Sequence, residues 1–325
     1  MSSMKPIESI GVPFVLCWLF AAALAQGQPA GRELILDPYF QNGFLLLAPK
    51  PGQRVVYGAV TEAASTAKPV WDLGQWSSKY PLDAAVVKRA SNGELCLTNI
   101  AKRVCVGAPG SAEADLSLAV NASAEYGDRA RKSQEEPWVH LLVQQDIVNP
   151  PSLTELAQCR FQVLARLRRS KLHRTDDYTP SRHAAQFFVY LTVANRNPKS
   201  PGYGQYYWFG VPVYDDRSRM VSFYQAKDFG ETKMFIYTLG SEVFAKESTH
   251  DGGWVAFAGD LLPLMQQGLK AGWEHGFMPG SRELEDYHVT GLFMGWEVPG
   301  IFDVEMQVRG LSLLAISKER SEKAP

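Results

Sequence analysis

The segment FDVEMQVR, from Phe302 to Arg309, alternates strictly between apolar and polar side chains. Its apolar members are Phe302, Val304, Met306 and Val308, and its polar members are Asp303, Glu305, Gln307 and Arg309. Side chains of a β-strand point to opposite faces in turn, so this period of two predicts a strand with one face on a core and one in water.

Strands of the same kind are predicted along most of the chain. Residues 160–168 repeat the alternation, and residues 185–195 (AQFFVYLTVAN) are apolar on both faces, which predicts a central strand. Turn-forming pairs such as Asn42-Gly43 and Pro299-Gly300 separate the segments. Further strands are predicted at 34–37, 44–48, 55–61, 94–98, 103–107, 116–121, 138–147, 205–214, 220–226, 233–238, 254–258 and 287–296.

One segment has the pattern of a convincing helix. Asp260 can cap it, an apolar stripe follows, and Gly272 can end it. Many strands with almost no helix indicate two packed antiparallel sheets. The sequence therefore predicts an all-β fold, an antiparallel β-sandwich of jelly-roll type, with one short helix near 260–271.

The N-terminus has the layout of a secretory signal peptide. Lys5 is followed by a short apolar run from Val12 to Ala25, which ends in the small-x-small sequence Ala23-Leu24-Ala25. We expect cleavage after residue 25, which leaves 26–325 as a single β-sandwich domain with a loop-rich N-terminal part. An alternative division into two β-domains would fall at Asn149-Pro150-Pro151.

Composition narrows the classes of function. Of the 325 residues 46% are hydrophobic and 21% charged, with a formal net charge of -1, as in an ordinary globular protein. No field of one sign points to nucleic acid. No segment after the N-terminal run is long and apolar enough for a transmembrane helix, so we expect a secreted or periplasmic protein.

Three cysteines follow the predicted signal peptide: Cys96, Cys105 and Cys159. Cys96 and Cys105 lie on the two arms of a predicted hairpin, where a cross-strand disulfide and two separate buried thiols are both consistent with the pattern. Cys159 has no evident partner; the alternatives are a lone catalytic thiol and an inert buried cysteine, and the absence of a histidine-rich context favours the second.

The C-terminal half resembles the jelly-roll domains of secreted bacterial carbohydrate-active proteins, which include galactose-binding-like modules and β-sandwich lyases and hydrolases. The resemblance lies in GLFMGWEVPG (291–300), in the strand that follows it, and in YYWFGVPVYDDR (206–217). It implies a jelly-roll fold and a glycan substrate, and it transfers no catalytic residue.

Three sites offer carboxylates that could serve a sugar site, and two of them combine these with aromatic rings. At the first, Trp208 and Tyr214 can stack on a sugar and Arg217 can bind its hydroxyls, while Asp215 and Asp216 supply the carboxyl pair that glycosidic hydrolysis needs. The alternative is an ordinary turn in which Arg217 pairs with Asp215.

At the second site, Glu297 directly follows Trp296, and contact with that ring would raise the pKa of the carboxyl to suit a general acid. At the third, Asp228 lies in a hairpin loop that a meander could bring near Asp215. The alternatives are an exposed strand-end glutamate and a structural loop residue.

Other clusters have weaker claims. The basic run from Arg166 to Arg174 suits an anionic polysaccharide or the solvated face of an edge strand. Asp37, Asn42 and Asp303 are candidate ligands of a structural Ca²⁺, although no compact calcium loop is present and no other cofactor is indicated. His140 is a candidate proton carrier or a hydrogen-bonded core histidine.

These features predict a protein that cleaves a polysaccharide or oligosaccharide as a glycoside hydrolase, with Asp215, Asp216, Asp228 and Glu297 as catalytic candidates. Trp208, Tyr214, Arg217 and Trp296 are the predicted substrate-binding residues. The alternatives are a non-catalytic glycan-binding or envelope protein and a polysaccharide lyase.

Overall fold

The computed structural model describes residues 31–61, 67–83, 87–111 and 113–318. The predicted signal peptide lies outside these residues. The strands are β1 (Arg32–Glu33), β2 (Phe44–Leu47), β3 (Val56–Val60), β4 (Trp71–Gly74), β5 (Val87–Arg89), β6 (Leu95–Thr98), β7 (Lys102–Val106), β8 (Leu116–Asn121), β9 (Val139–Asp146), β10 (Leu156–Leu172), β11 (Gln186–Asn195), β12 (Tyr206–Asp215), β13 (Tyr224–Lys227), β14 (Phe235–Thr238), β15 (Val255–Asp260), β16 (Tyr287–Val298) and β17 (Phe302–Ser317). The helices are α1 (Ala122–Tyr126) and α2 (Leu262–Glu274), with short 3-10 turns at Ser241–Val243, Thr249–Asp251 and Leu284–Asp286.

The strands form two packed sheets. The eight-stranded sheet has the order β15-β10-β17-β8-β7-β6-β5, with β1 added beside β17. The nine-stranded sheet has the order β13-β14-β12-β11-β16-β9-β4-β2-β3. Pairing is antiparallel except between β2 and β4 and between β12 and β14. The predicted β-sandwich of jelly-roll type is thereby confirmed.

The core lies between the two sheets and follows from the alternation of their strands. The inward side chains of β11, at positions 187, 189, 191 and 193, belong to one hydrophobic cluster with those of β10, β16 and β17. The intervening side chains of the nine-stranded sheet therefore point away from the eight-stranded sheet. We call this second surface the outer face.

The predicted helix is present as α2, two residues later at its start than expected. Asp260 accepts a hydrogen bond from the Leu262 amide at 3.1 Å and another from the Cys159 amide at 2.9 Å, so it fixes the helix to β10. The Asn149-Pro150-Pro151 segment carries the chain from β9 in one sheet to β10 in the other.

Cys96 and Cys105 face each other across β6 and β7 and form a disulfide. Burial raises the pKa of the Cys159 thiol to about 12, so this cysteine is inert at neutral pH. No helix in the described part of the chain combines the length and the hydropathy needed to cross a bilayer.

Loops from the two edges of the nine-stranded sheet approach each other. Gly52 lies in the connection from β2 to β3, and Glu231 lies in the connection from β13 to β14. A Cβ atom placed on Gly52 would lie 3.7 Å from the Cβ atom of Glu231. Because the eight-stranded sheet covers the inner face, these loops meet across the outer face and turn it into a bridged groove.

Candidate functional site: a groove on the outer face

Aromatic rings from three neighbouring strands line the groove. Trp208 makes edge contacts with the rings of Phe293 and Tyr206, at centroid distances of 4.8 and 5.4 Å. Tyr190 stacks on Phe188 at 5.4 Å and meets the edge of Trp208 at 6.0 Å. Such a surface offers ring faces on which the C–H groups of a sugar can pack.

A glycine makes room for this cluster. Gly210 faces outward on β12, directly opposite Tyr190 on β11. A Cβ atom on Gly210 would lie 2.8 Å from the Tyr190 ring and 2.4 Å from Thr238 Oγ1. Any larger residue at 210 would therefore displace the tyrosine ring.

The Trp208 ring is held from the side by a hydrogen-bonded chain. Its Nε1 donates to Thr232 Oγ1 at 3.1 Å, and that hydroxyl donates to Asp228 Oδ2 at 2.5 Å. Asp228 also accepts the amides of Gly230 and Thr232 in the same loop. Asp228 thus organises the hairpin loop beside Trp208, near the start of β12. Asp215 is the last residue of β12, at the opposite end of the strand. The predicted proximity of these two aspartates was therefore wrong.

One row of polar side chains crosses the groove beyond the aromatic cluster. Cross-strand pairing aligns Asp215 with Gln186, Gln186 with Glu297, and Glu297 with His140. Neighbouring strands are about 4.8 Å apart, so the backbones at Asp215 and Glu297 are separated by about 10 Å. The structure therefore brings two of the four predicted catalytic carboxylates into one row, with an amide between them.

Glu297 is the carboxylate of this row that remains accessible, with 28% of its side chain exposed. Its Oε2 accepts Trp138 Nε1 at 3.1 Å and lies 3.6 Å from His140 Nε2. Burial acts to raise the pKa of Glu297. The hydrogen bond and charge of His140, together with the hydrogen bond from Trp138, outweigh burial and lower the pKa. The pKa shift is the opposite of the predicted one.

The predicted role of Trp296 was also wrong. Its side chain is fully buried between the sheets, where Nε1 donates to the Leu118 carbonyl at 2.8 Å. Adjacent residues of a strand point to opposite faces, so Trp296 cannot contact the outward-pointing Glu297 carboxyl or a ligand in the groove. Trp138, which the sequence analysis did not single out, takes that position.

Asp215 is buried and fully engaged. Arg217 donates from Nε at 2.7 Å and from Nη2 at 2.5 Å, and Gln186 Nε2 donates at 2.7 Å. Burial acts to raise the pKa of Asp215, but Arg217 lowers it on balance. The structure therefore contains the turn with an internal Asp215–Arg217 ion pair, which was the alternative to a catalytic pair.

Asp216 and Tyr214 face a different cavity, here called the end cleft. It lies between β10 and the turn after β12 and is lined by Arg168, Tyr178, Tyr214, Asp216, His250 and Phe302. The Tyr214 hydroxyl donates to Ser170 Oγ at 2.8 Å. Asp216 accepts the Ala185 amide at 2.6 Å, and burial together with the charge of Asp215 raises its pKa to about 6.

The groove continues past Phe293 into a polar pocket. Its lining includes Leu36, Arg54, Asp72, Gln144, Asp146 and Phe293. Arg54 holds Asp72 with two hydrogen bonds of 2.6 and 2.8 Å. No strand was predicted at 71–76 and this pocket was not anticipated, although the alternation of β9 places Gln144 and Asp146 on one face.

The candidate calcium ligands have other partners. Asp37 accepts the amides of Gln41 and Asn42, while Asp303 binds His173 Nε2 at 2.8 Å and the Ser123 amide at 3.1 Å. Within the residues that the structure describes, no group of three or more His, Cys, Asp or Glu side chains is arranged to hold a metal ion.

The basic run lies on β10 in the eight-stranded sheet, away from the groove. Arg166 binds Gln307 and lies over the Trp254 ring, and Arg169 donates to Asn121 at 2.7 Å. Much of this charge is therefore engaged on the surface of that sheet.

No protein-family model matches this sequence. No curated protein sequence matches it either. Solved structures with a similar arrangement of strands include a family 12 xyloglucanase from Bacillus licheniformis, with 8% identity over 75% of this chain and 99% of that chain and a TM-score of 0.40. They also include an endoglucanase from Rhodothermus marinus (10%, 76% and 99%, TM-score 0.38) and a family 11 xylanase from Neocallimastix patriciarum (9%, 70% and 93%, TM-score 0.36). No conclusion on activity rests on likeness of this degree.

Proposed function

We propose that this protein is a secreted glycoside hydrolase that binds a polysaccharide in the bridged groove and cleaves it at Glu297. The observation that supports the proposal is the outer face itself, where the aromatic cluster and the row from Asp215 to His140 occupy the same surface. The disulfide supports export, because such bonds persist in oxidising compartments.

Glu297 is suited to act as a base or nucleophile. Its lowered pKa keeps it ionised near neutral pH, which both roles need. His140 is the nearest group that can carry a proton to the leaving oxygen. Asp215, whose charge is neutralised by Arg217, accepts Gln186 Nε2 and so fixes the Gln186 amide beside Glu297.

A second candidate function is glycan binding without cleavage. The engagement of Asp215 by Arg217 and Gln186 favours it, because the row then holds one accessible carboxylate where hydrolysis ordinarily uses two. Both candidates require the aromatic cluster, and only hydrolysis requires Glu297.

The test is release of reducing ends from a panel of neutral and acidic polysaccharides, with absorbance of unsaturated uronates followed in parallel. We expect Glu297→Gln to lower turnover at least about 100-fold while it retains affinity, and Trp208→Ala to lower affinity about tenfold or more. Glu305→Gln is the matched control, because Glu305 is a strand carboxylate on the opposite sheet.

Absorbance without hydrolysis would establish a lyase and overturn the proposed reaction. Binding that depends on Trp208, without any product, would establish the second candidate. Equal activity of Glu297→Gln and the control would remove Glu297 from the mechanism.

A further inference from the structure

The polar pocket beside Phe293 contains an unpaired hydrogen-bonding atom. Gln144 Oε1 is buried and has no hydrogen-bond partner among the residues that the structure describes. A buried carbonyl without a hydrogen-bond donor is less favourable than one whose hydrogen bond is made. A residue kept in that state is a candidate for binding a ligand that supplies the missing donor.

Gln144 lies where such a donor would arrive. It faces outward on β9, between Phe293 on β16 and Asp72 on β4. The terminal torsion of glutamine is broad, so a small rotation presents Oε1 to the pocket. A sugar ring packed on Phe293 would place its hydroxyls over Gln144 and over Arg54, which is more than half exposed.

The neighbouring glutamine shows what a structural role looks like. Gln145 also borders the pocket, but both ends of its amide are bound to the backbone: Nε2 donates to the Leu36 carbonyl at 3.0 Å and Oε1 accepts the Leu36 amide at 2.9 Å. These hydrogen bonds fix the segment before β2. Gln144 and Gln145 therefore differ in the one respect that matters for ligand binding.

The charge of the pocket selects among sugars. Its lining contains two carboxylates, Asp72 and Asp146, and one guanidinium group, Arg54. A uronate or sulfated sugar would bring further negative charge into this surface and be repelled. A neutral sugar meets an acceptor at Gln144 and donors at Arg54 without that cost.

We propose that Gln144 determines specificity in this groove by accepting a hydroxyl hydrogen bond from a neutral sugar unit packed against Phe293. The inference rests on the proposed function, since it places one unit of that polysaccharide.

The test compares Gln144→Leu with Gln145→Leu, using calorimetric titration of soluble neutral oligosaccharides and thermal unfolding. We expect Gln144→Leu to weaken binding about tenfold while the melting temperature stays level or rises, because a buried unpaired carbonyl is removed. We expect Gln145→Leu to lower the melting temperature by about 3 °C or more, because it leaves the Leu36 backbone groups unpaired.

Four outcomes separate the possibilities. If the unmodified protein binds no glycan, both the proposed function and the inference on Gln144 are wrong. If it binds and Gln144→Leu binds equally well, the inference alone fails. If Gln144→Leu is destabilised as much as Gln145→Leu, Gln144 is a structural residue, and preferential binding of uronates would overturn the assignment of a neutral sugar.

Discussion

Asp216 links stability to pH through its burial at the end cleft. Its pKa is about 6 in the folded protein against 3.8 for an unperturbed aspartate, so the folded state binds the proton more tightly. The stability it contributes is full below about pH 4 and is lost as pH rises through about 6.

Asp216→Asn keeps the acceptor for the Ala185 amide and removes that loss. We expect the variant to be more stable than the parent above pH 7, by up to about 3 kcal/mol, with the advantage growing between pH 4 and 6. Urea unfolding over this range measures it, with the exposed Asp176→Asn as the control for loss of one charge. An advantage that does not change with pH would contradict the assignment.

Lys102 and Glu125 form an ion pair that is fully buried at the end of the eight-stranded sheet. Glu125 also accepts Ser78 Oγ at 2.6 Å and the Lys79 amide at 2.7 Å, so the pair ties the loop after β4 to α1. Removal of one partner leaves the other charge buried without compensation.

We expect Lys102→Met to lower the free energy of unfolding by about 3–5 kcal/mol. The double variant Lys102→Met/Glu125→Gln should recover a large part of this loss, because no uncompensated charge remains. Chemical denaturation of the two variants and the parent measures the difference. A single variant no worse than the double would show that the pair is not energetically coupled.

The β6–β7 hairpin is cross-linked by the disulfide between Cys96 and Cys105. Its disulfide closes a loop with a sequence separation of 9, and chain-entropy arguments give about 2–3 kcal/mol for a loop of that size. We expect Cys96→Ser/Cys105→Ser to lose about this amount of stability and to match the parent protein treated with a reductant. Equal stability of the oxidised parent and the double variant would contradict this.

Most long strands could be predicted from the sequence, either from alternation, as in β17, or from a continuous apolar run, as in β11. β4 was not predicted, because its four residues WDLG are too few for their alternation to be recognised, although Trp71 and Leu73 join the core and Asp72 lines the outer-face pocket. The alternation of β17 was recognised only as far as Arg309, because Gly310, with φ of +63°, lies at a register shift that resets the pattern. Local pattern is therefore a poor guide where a strand is very short or is interrupted by a bulge.

The residues of the candidate site also fall into those that the sequence could identify and those that it could not. Trp208 and Glu297 were found because each is a conspicuous residue on a predicted strand. The roles of Gln186, Gln144 and Trp138 depend on neighbours in other strands. Gln144 pairs with Phe293 and Trp138 with Glu297, in each case more than 100 residues along the chain, so no local pattern reveals these contacts. The misplacement of Trp296 was avoidable, because the alternation of β16 already sets it on the face opposite Glu297.

In the whole molecule, the outer surfaces of the two sheets carry different kinds of side chain. The eight-stranded sheet has an outer surface of paired charges, such as Arg103 with Glu305. The nine-stranded sheet carries rings, amides and carboxylates in rows across its strands. The first surface is suited to contact with water and the second to contact with a ligand.

The meeting of the loops at Gly52 and Glu231 has a topological consequence. A long molecule bound on the outer face beneath that contact would be surrounded by a ring made of the sheet and the two loops. It can leave only by sliding until a free end passes through, or when the ring opens. Retention would then depend on the length of the bound molecule as well as on the strength of each single contact.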